Sequence, residues 1–170
     1  NQPVLSIATT IGSFQESAGP LGGNGNLTVT TSFVWSGGTL AGGGQVVLMP
    51  GATGLLAGGT KTIAGRELIT QGAVTWTTGD IHLDSGRINV NPGSTFAMTG
   101  DGTIRDTDGA VTTSTFMNSG TTRKSGGVGT TSLLGLSAVT NAAGALFEVF
   151  QNGTMLIVNS PFANSGVART

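Results

Sequence analysis

The chain has 170 residues, of which 9% are charged, 37% hydrophobic and 5% aromatic, and its formal net charge is -1. It contains 30 Gly and no Cys or Tyr, which excludes disulfides and cysteine-ligated metal centres and disfavours a helical bundle. The 7 basic residues against 8 acidic ones leave no basic surface for nucleic acid.

Residues 1–22 fit no repeat and are predicted to form an amino-terminal cap or an irregular first coil, whereas 23–170 form a repeat domain. Short segments in which apolar and polar residues alternate are predicted strands. The clearest of these segments are 26–30, 73–77, 80–84, 87–90, 147–150 and 154–158. Gly, Asn, Asp, Ser and Pro separate them at short intervals, as tight corners require.

Two motifs recur along the chain at a spacing of about 41 residues. The first is a large apolar residue followed by small residues and Gly, and its copies begin at Trp35, Trp76 and Met117. The second is a turn signal, and its copies begin at Pro50, Pro92 and, more weakly, Asn141. Two interleaved motifs at this spacing predict a structural unit of about 20–22 residues.

A unit this short cannot bury its apolar side alone, whereas stacked copies cover one another. The sequence therefore predicts an all-β fold, a parallel and right-handed three-sided β-helix or β-solenoid, with about 20–22 residues per coil and about seven to eight coils. An antiparallel sandwich or barrel is the alternative. The predicted inward residues are Val29, Val34, Leu40, Leu55, Ile69, Val74, Ile81, Leu83, Ile88, Val90, Phe96, Phe116, Leu146, Val149, Leu156 and Val158.

The units at 33–40 and 72–81, with the turn at 91–96, resemble passenger repeats of large bacterial surface proteins. The similar classes are filamentous-haemagglutinin-like adhesins and autotransporter passengers, and the resemblance covers about residues 23–166 in scaffold positions. It implies a secreted or cell-surface β-helix that extends a stalk or adheres to carbohydrate. No catalytic residue carries over. The leading interpretation is a non-enzymatic structural or adhesive segment of a larger extracellular protein.

The expected partners are a polysaccharide or cell-surface glycan, the flanking domains of a longer chain, and another copy of the chain through open solenoid ends. No nucleic acid, membrane span or signal peptide is expected. One alternative function is a carbohydrate-binding module, calcium-assisted, of a secreted polysaccharide-degrading enzyme. Another is a small β-helix glycosidase or lyase, in which Asp80 and Asp101 would supply a carboxylate pair. Thr-rich strands suggest an ice-binding face as a further alternative, although the spacing of the Thr residues is irregular.

Two groups of side chains are candidate ligand-binding residues. Trp35 and Trp76 would stack on sugar rings if they were exposed, but their repeated position fits a core role as well. Asp80, His82 and Asp84 alternate along one strand and so share its outward side, where they would bind a ligand or exchange protons. The alternative is an ordinary polar strand surface. With coils of about 21 residues, Asp101 would lie above Asp80 and Arg105 above Asp84.

Three further carboxylates lie in the most polar segment of the chain, residues 100–109. Asp101, Asp106 and Asp108 are the candidate metal ligands, because carboxylates that alternate along a turn converge on one hard cation. Calcium is accordingly the one cofactor that the sequence raises. The alternative is a solvated corner, since no acidic residue follows within the loop to complete an EF-hand.

Overall fold

The computed structural model describes residues 3–109, 113–150 and 155–170, and within these ranges every regular element is a β-strand. The strands form a parallel β-solenoid of about seven coils with three faces, which confirms the predicted fold class. Every pair of neighbouring strands runs parallel, so the antiparallel sandwich or barrel is wrong.

The three faces are numbered 1 to 3. Two long strands, β1 (Thr9–Glu16) and β3 (Leu27–Trp35), each bend around a corner and so belong to both face 1 and face 2. Face 1 continues with β5 (Gln45–Leu48), β8 (Glu67–Thr70), β11 (Arg87–Val90), β14 (Thr115–Asn118), β17 (Ala138–Asn141) and β20 (Phe162–Asn164). Face 2 continues with β6 (Thr53–Leu56), β9 (Ala73–Trp76), β12 (Thr95–Met98), β15 (Thr121–Lys124), β18 (Leu146–Val149) and β21 (Val167–Arg169). Face 3 consists of β2 (Pro20–Leu21), β4 (Gly38–Ala41), β7 (Lys61–Ala64), β10 (Ile81–Asp84), β13 (Gly102–Asp106), β16 (Thr130–Leu134) and β19 (Met155–Asn159).

The core consists of vertical rows of inward side chains, one residue from each coil. Alternate residues of a strand point to opposite sides of the sheet, so the parallel register stacks each inward residue on its partner in the next coil. One row on face 1 is Leu27, Val46, Leu68, Ile88, Phe116 and Val139, all of them buried. Each buried aliphatic or Phe side chain contributes about 1.5–3 kcal/mol relative to its exposed state.

Four residues predicted to lie in the core point outward instead. Val34, Leu55, Ile69 and Leu146 lie on the outer surface, while their neighbours Phe33, Leu56, Leu68 and Phe147 are buried. In each of these strands adjacent residues are both apolar, so alternation alone does not decide which one faces inward. A shift of one residue exchanges the two sides of a strand, so packing against the neighbouring coils decides which of the two residues faces inward.

The coils differ in length, although their mean agrees with the predicted unit. The row from Thr9 to Phe162 crosses seven steps between coils, so the mean length of a coil is about 22 residues. The step from Thr9 to its partner Leu27 is shorter than this mean, whereas the step from Ile104 to Leu133 is much longer. In the described ranges the differences in length fall between the strands, because the strands keep their hydrogen-bonded register.

The unequal coils break the 41-residue motif after its second copy. Trp35 and Trp76 do share one inward row, separated by Leu56 in the coil between them. Met117 belongs to face 1, where it points outward and is 43% exposed, so the third copy of the motif does not continue this row. The row instead continues through Met98 and Lys124.

The second motif marks the corner between faces 1 and 2. Pro50–Gly51 and Pro92–Gly93 occupy the middle of tight turns closed by hydrogen bonds from Ala52 N to Met49 O and from Ser94 N to Asn91 O. The two glycines have φ of 84° and 79°, which fits the type II turn with Pro before Gly. Gly144, with φ of 81°, repeats the turn in a later coil.

A ladder of asparagines lies inside this same corner in the last coils. Asn118 Nδ2 donates to Asn141 Oδ1 at 2.7 Å, and Asn141 Nδ2 donates to Asn164 Oδ1 at 2.7 Å. The same amides also donate to the carbonyl oxygens of Leu146 and Val167. The ladder satisfies backbone groups that a corner leaves without strand partners, so it stabilises the stacking of three coils.

Basic side chains perform the same task at the corner between faces 2 and 3. Lys61 Nζ, fully buried, donates to the carbonyl oxygens of Ala57, Gly59 and Thr78 at 2.7–2.9 Å. Burial lowers the pKa of Lys61 to about 8, although the nearby Asp80 opposes the shift. Lys124, in the row that contains both tryptophans, donates to Gly100 O at 2.6 Å. The buried basic side chains therefore stabilise the corners by hydrogen bonds to backbone carbonyl oxygens.

Candidate functional site

Both tryptophans lie in the core. Trp35 is 0% and Trp76 2% exposed, and Trp76 Nε1 donates to Gly79 O at 2.8 Å. Neither ring offers a face to solvent, so the stacking platform for sugars suggested by the sequence is wrong at these positions. Their repeated spacing reflects vertical packing of large side chains between coils.

The second candidate group lies on the outer side of face 3, as the alternation predicted. His82 and Asp84 belong to β10 and point away from the buried Ile81 and Leu83, and Asp80 comes directly before the strand.

The stacking predicted above this group is wrong, because the coil that follows it is longer than the predicted unit. Ile81 pairs with Ile104, so Arg105 lies above His82 and not above Asp84. Thr103, rather than Asp101, takes the place beside Asp80. The register therefore does not stack Asp101 on Asp80 as the carboxylate pair of a glycosidase would require.

The contacts of this group are structural in character. Asp80 Oδ1 accepts a hydrogen bond from Thr103 N at 2.9 Å, and Arg105 Nε donates to His82 Nε2 at 3.1 Å. Burial and the charge of Arg105 lower the pKa of His82, while Asp80 opposes them. His82 thus acts as a neutral acceptor for Arg105. Among the described residues neither aspartate hydrogen-bonds the imidazole, so the acid–base arrangement that the sequence suggested is not assembled.

The three carboxylates proposed to hold calcium do not converge. Strand β13 separates Asp101 from Asp106, and an extended chain rises about 3.3 Å per residue, which places the two ends about 16 Å apart. Asp101 Oδ1 pairs with Lys124 Nζ at 2.7 Å, and that hydrogen bond lowers the pKa of Asp101. In the described part of the chain no three acidic, His or Cys side chains form a metal-binding group.

Asp106 and Asp108 instead organise the corner that leads from face 3 to face 1. Asp106 Oδ1 accepts hydrogen bonds from Asp108 N at 3.2 Å and from Ser114 Oγ at 3.1 Å. Asp108 Oδ2 accepts one from Ser85 Oγ at 2.6 Å, which joins this corner to the coil before it. The two carboxylates therefore link the end of β13 to Ser114 and to Ser85 in the preceding coil.

A groove of about 330 Å³ opens beside this connection, at the edge of face 1. Its floor is a row of outward side chains from three successive coils, Gln45, Glu67 and Arg87, which are stacked in register. Ser85 and Thr113 contribute to its walls. The groove spans the coils of β5, β8 and β11 and, at Thr113, reaches the step at which β11 pairs with β14, the longest step on face 1.

Ser85 has a strained backbone at the edge of this groove. Its φ of 54° makes it the one non-glycine residue with a positive φ in the described ranges. The left-handed region disfavours side chains, and such residues cluster at functional sites. Its hydroxyl bond to Asp108 compensates for the strain and ties the groove wall to the corner.

Of the two charged residues stacked in the groove, Glu67 has hydrogen-bond partners and Arg87 has none among the described residues. Glu67 accepts hydrogen bonds at both carboxylate oxygens, from Gln45 Nε2 at 2.7 Å and from Asn89 Nδ2. Arg87 lies directly opposite Glu67 in the next strand and is exposed, yet it makes no hydrogen bond or ion pair with any described residue. Its guanidinium group is therefore open to a ligand.

A second guanidinium adds positive charge beneath the groove. Arg66 is 1% exposed and donates to the carbonyl oxygens of Ala41, Gly25, Gln45 and Gly23, which belong to the two coils before its own. Burial lowers the pKa of Arg66, and no carboxylate among the described residues pairs with it. The field of Arg66 consequently favours an anion nearby.

The groove escapes detection in the sequence, because its residues form no motif along the chain. Gln45, Glu67 and Arg87 each begin a face 1 strand, directly before an inward apolar residue, and successive members are one coil apart. Which residues of three coils share this row follows only from the register of the folded strands, and so does the absence of a partner for Arg87.

Comparison of the chain with protein-family models, with curated proteins and with solved structures found no match in any of the three. In the part of the chain that the structure describes, no helix has the length and hydropathy to cross a membrane.

Proposed function

We propose that this chain is a non-enzymatic structural and adhesive β-solenoid segment of a larger extracellular or cell-surface protein. One observation carries the proposal: hydrogen-bonded parallel ladders run without interruption through about seven coils on all three faces. A rod built in this way resists bending and stretching, because each coil is bonded to the coils on both sides. The resemblance of its repeats to bacterial adhesin and autotransporter passengers supports the extracellular context.

The interior adds further support for a stiff rod. An aromatic column runs through four coils, with ring centroids of Phe96 and Phe116 5.6 Å apart and those of Phe116 and Phe147 6.4 Å apart. The column ends at Phe162, which lies 5.6 Å from Phe147 and is 40% exposed. Packing along the axis couples distant coils, and about seven coils at about 4.8 Å each give a rod of about 35 Å.

Single-molecule stretching tests the mechanical part of the proposal. The chain, placed between copies of a reference domain and pulled from its two ends, is expected to unfold in one or two cooperative steps. The total gain in length would approach about 3.4 Å per residue less the length of the rod. Gradual extension at forces below those that unfold the reference domains would contradict a mechanical role.

A carbohydrate-binding module is the second candidate function. The groove on face 1 favours it, because its floor presents amide, carboxylate and guanidinium groups side by side. The two candidates are separable. Binding without mechanical resistance would support the module, and resistance without binding would support a spacer.

A further inference from the structure

We propose that the groove on face 1 binds a carboxylate group of an acidic saccharide, with Arg87 as the anchoring residue. The inference deepens the adhesive part of the proposed function and rests on it. The mechanical part is independent, so the two can fail separately.

Arg87 differs from every other basic residue of the chain. Lys61, Arg66 and Lys124 are buried and hydrogen-bonded to the protein interior. Arg105 donates to His82, and the last two basic residues pair with the buried Glu148, Arg123 at 2.5 Å and Arg169 at 2.9 Å. All of the other basic side chains thus have a partner, and Arg87 has none among the described residues although Glu67 lies opposite it.

The reason that Arg87 stays unpaired is visible in the floor of the groove. Gln45 and Asn89 approach Glu67 from opposite sides and hold both of its oxygens. The carboxylate is therefore satisfied within a row of neutral amides, while the guanidinium keeps its donors for a ligand. A planar carboxylate fits these donors in the two-bond geometry that guanidinium groups favour.

The surroundings favour a single carboxylate over a densely charged anion. The fixed negative charge of Glu67 repels a dianion more than a monoanion. One exposed, unpaired cation does not form the basic patch that a heavily sulfated polymer requires. A sugar ring that carries a single carboxylate matches the single unpaired guanidinium of the groove.

The walls of the groove supply partners for sugar hydroxyl groups. Thr113 contributes to the wall, and its Oγ1 is buried without a hydrogen-bond partner among the described residues. Buried polar atoms without partners are rare, and a ligand hydroxyl within reach would satisfy them after a rotation of the side chain.

The test is isothermal titration of the full chain with trigalacturonate and with its methyl ester, which is neutral and nearly isosteric. We expect dissociation constants of about 1 mM or tighter for the acid and at least tenfold weaker binding of the ester. Arg87→Gln should weaken binding of the acid at least tenfold and leave the circular dichroism spectrum unchanged. Arg105→Gln is the matched control, an exposed arginine on face 3, and should bind as the unaltered chain does.

Four outcomes with saccharides would overturn the proposal. They are no binding of the acid, equal binding of acid and ester, an Arg87→Gln variant that binds normally, or tighter binding of a sulfated trisaccharide. Glutamate tripeptide with the same dependence on Arg87 and higher affinity would assign the groove to acidic peptides and overturn the saccharide. The stretching experiment shows separately whether the mechanical role survives any of these results.

Discussion

Replacing Asn141 by alanine interrupts the asparagine ladder at its middle member. The side chain is 1% exposed and takes part in three hydrogen bonds, with Asn118, Asn164 and the carbonyl oxygen of Val167. Each such bond contributes about 0.5–1.5 kcal/mol net, and one amide hydrogen of Asn118 would be left buried without an acceptor. Asn141→Ala is therefore expected to lower the free energy of unfolding by about 2–4 kcal/mol.

Urea unfolding followed by circular dichroism gives the total loss, and amide hydrogen exchange locates it. Ser165 N and Val167 N, which donate to Asn141 O and Ala145 O, should lose protection first because they lie above the interrupted rung. Asn159→Ala provides the same substitution at an exposed position of β19, where a change within about 0.5 kcal/mol is expected. Equal stability of the two variants would show that the asparagine ladder does not stabilise the stacking of the coils.

Two further predictions concern the corners. A Cβ atom at Gly100 would lie 1.6 Å from Thr77 O, so Gly100→Ala should lower the free energy of unfolding by about 3 kcal/mol or more. Gly93 has open space around it and a φ of 79°, so Gly93→Ala should lower it by only about 1–2 kcal/mol. Thermal melting compares the two, and equal shifts would contradict the stacking of these corners. Because burial lowers the pKa of Lys61 to about 8, the unfolded chain binds more protons between pH 8 and 10, and stability should rise there by up to about 3 kcal/mol. The variant Lys61→Met should lack this rise. A difference in the free energy of unfolding between the two proteins that stays constant from pH 8 to 10 would refute the prediction.

The coil architecture was predictable because its signals are local. The turns at Pro50 and Pro92 need only adjacent residues, and the interval from Trp35 to Trp76 spans two coils of nearly equal length. From Asp106 onward the coils lengthen, and a fixed interval then leads from the core row to Met117 on the outer surface. Periodicity therefore reveals the fold class but follows the register only as far as the corners keep their length.

The inward side of each strand was predictable where apolar and polar residues alternate strictly, as in β10 with Ile81 and Leu83 inside. It was ambiguous in β6, where Leu55 and Leu56 are adjacent and only packing against neighbouring coils selects the inner one. The groove was beyond such reasoning, because it depends on which residues of three different coils share a row.

The uneven corners have a consequence for how such a chain can change. Ile88 and Phe116 stay in register although the chain between them is longer than at any other step on face 1, so the surplus is absorbed entirely outside the ladders. Insertions at the boundary between faces 3 and 1 consequently leave the scaffold intact while they reshape whatever lies beside them. Connections whose lengths differ from coil to coil thus adjoin a frame of constant register, and we expect new binding preferences to arise there without a loss of rigidity.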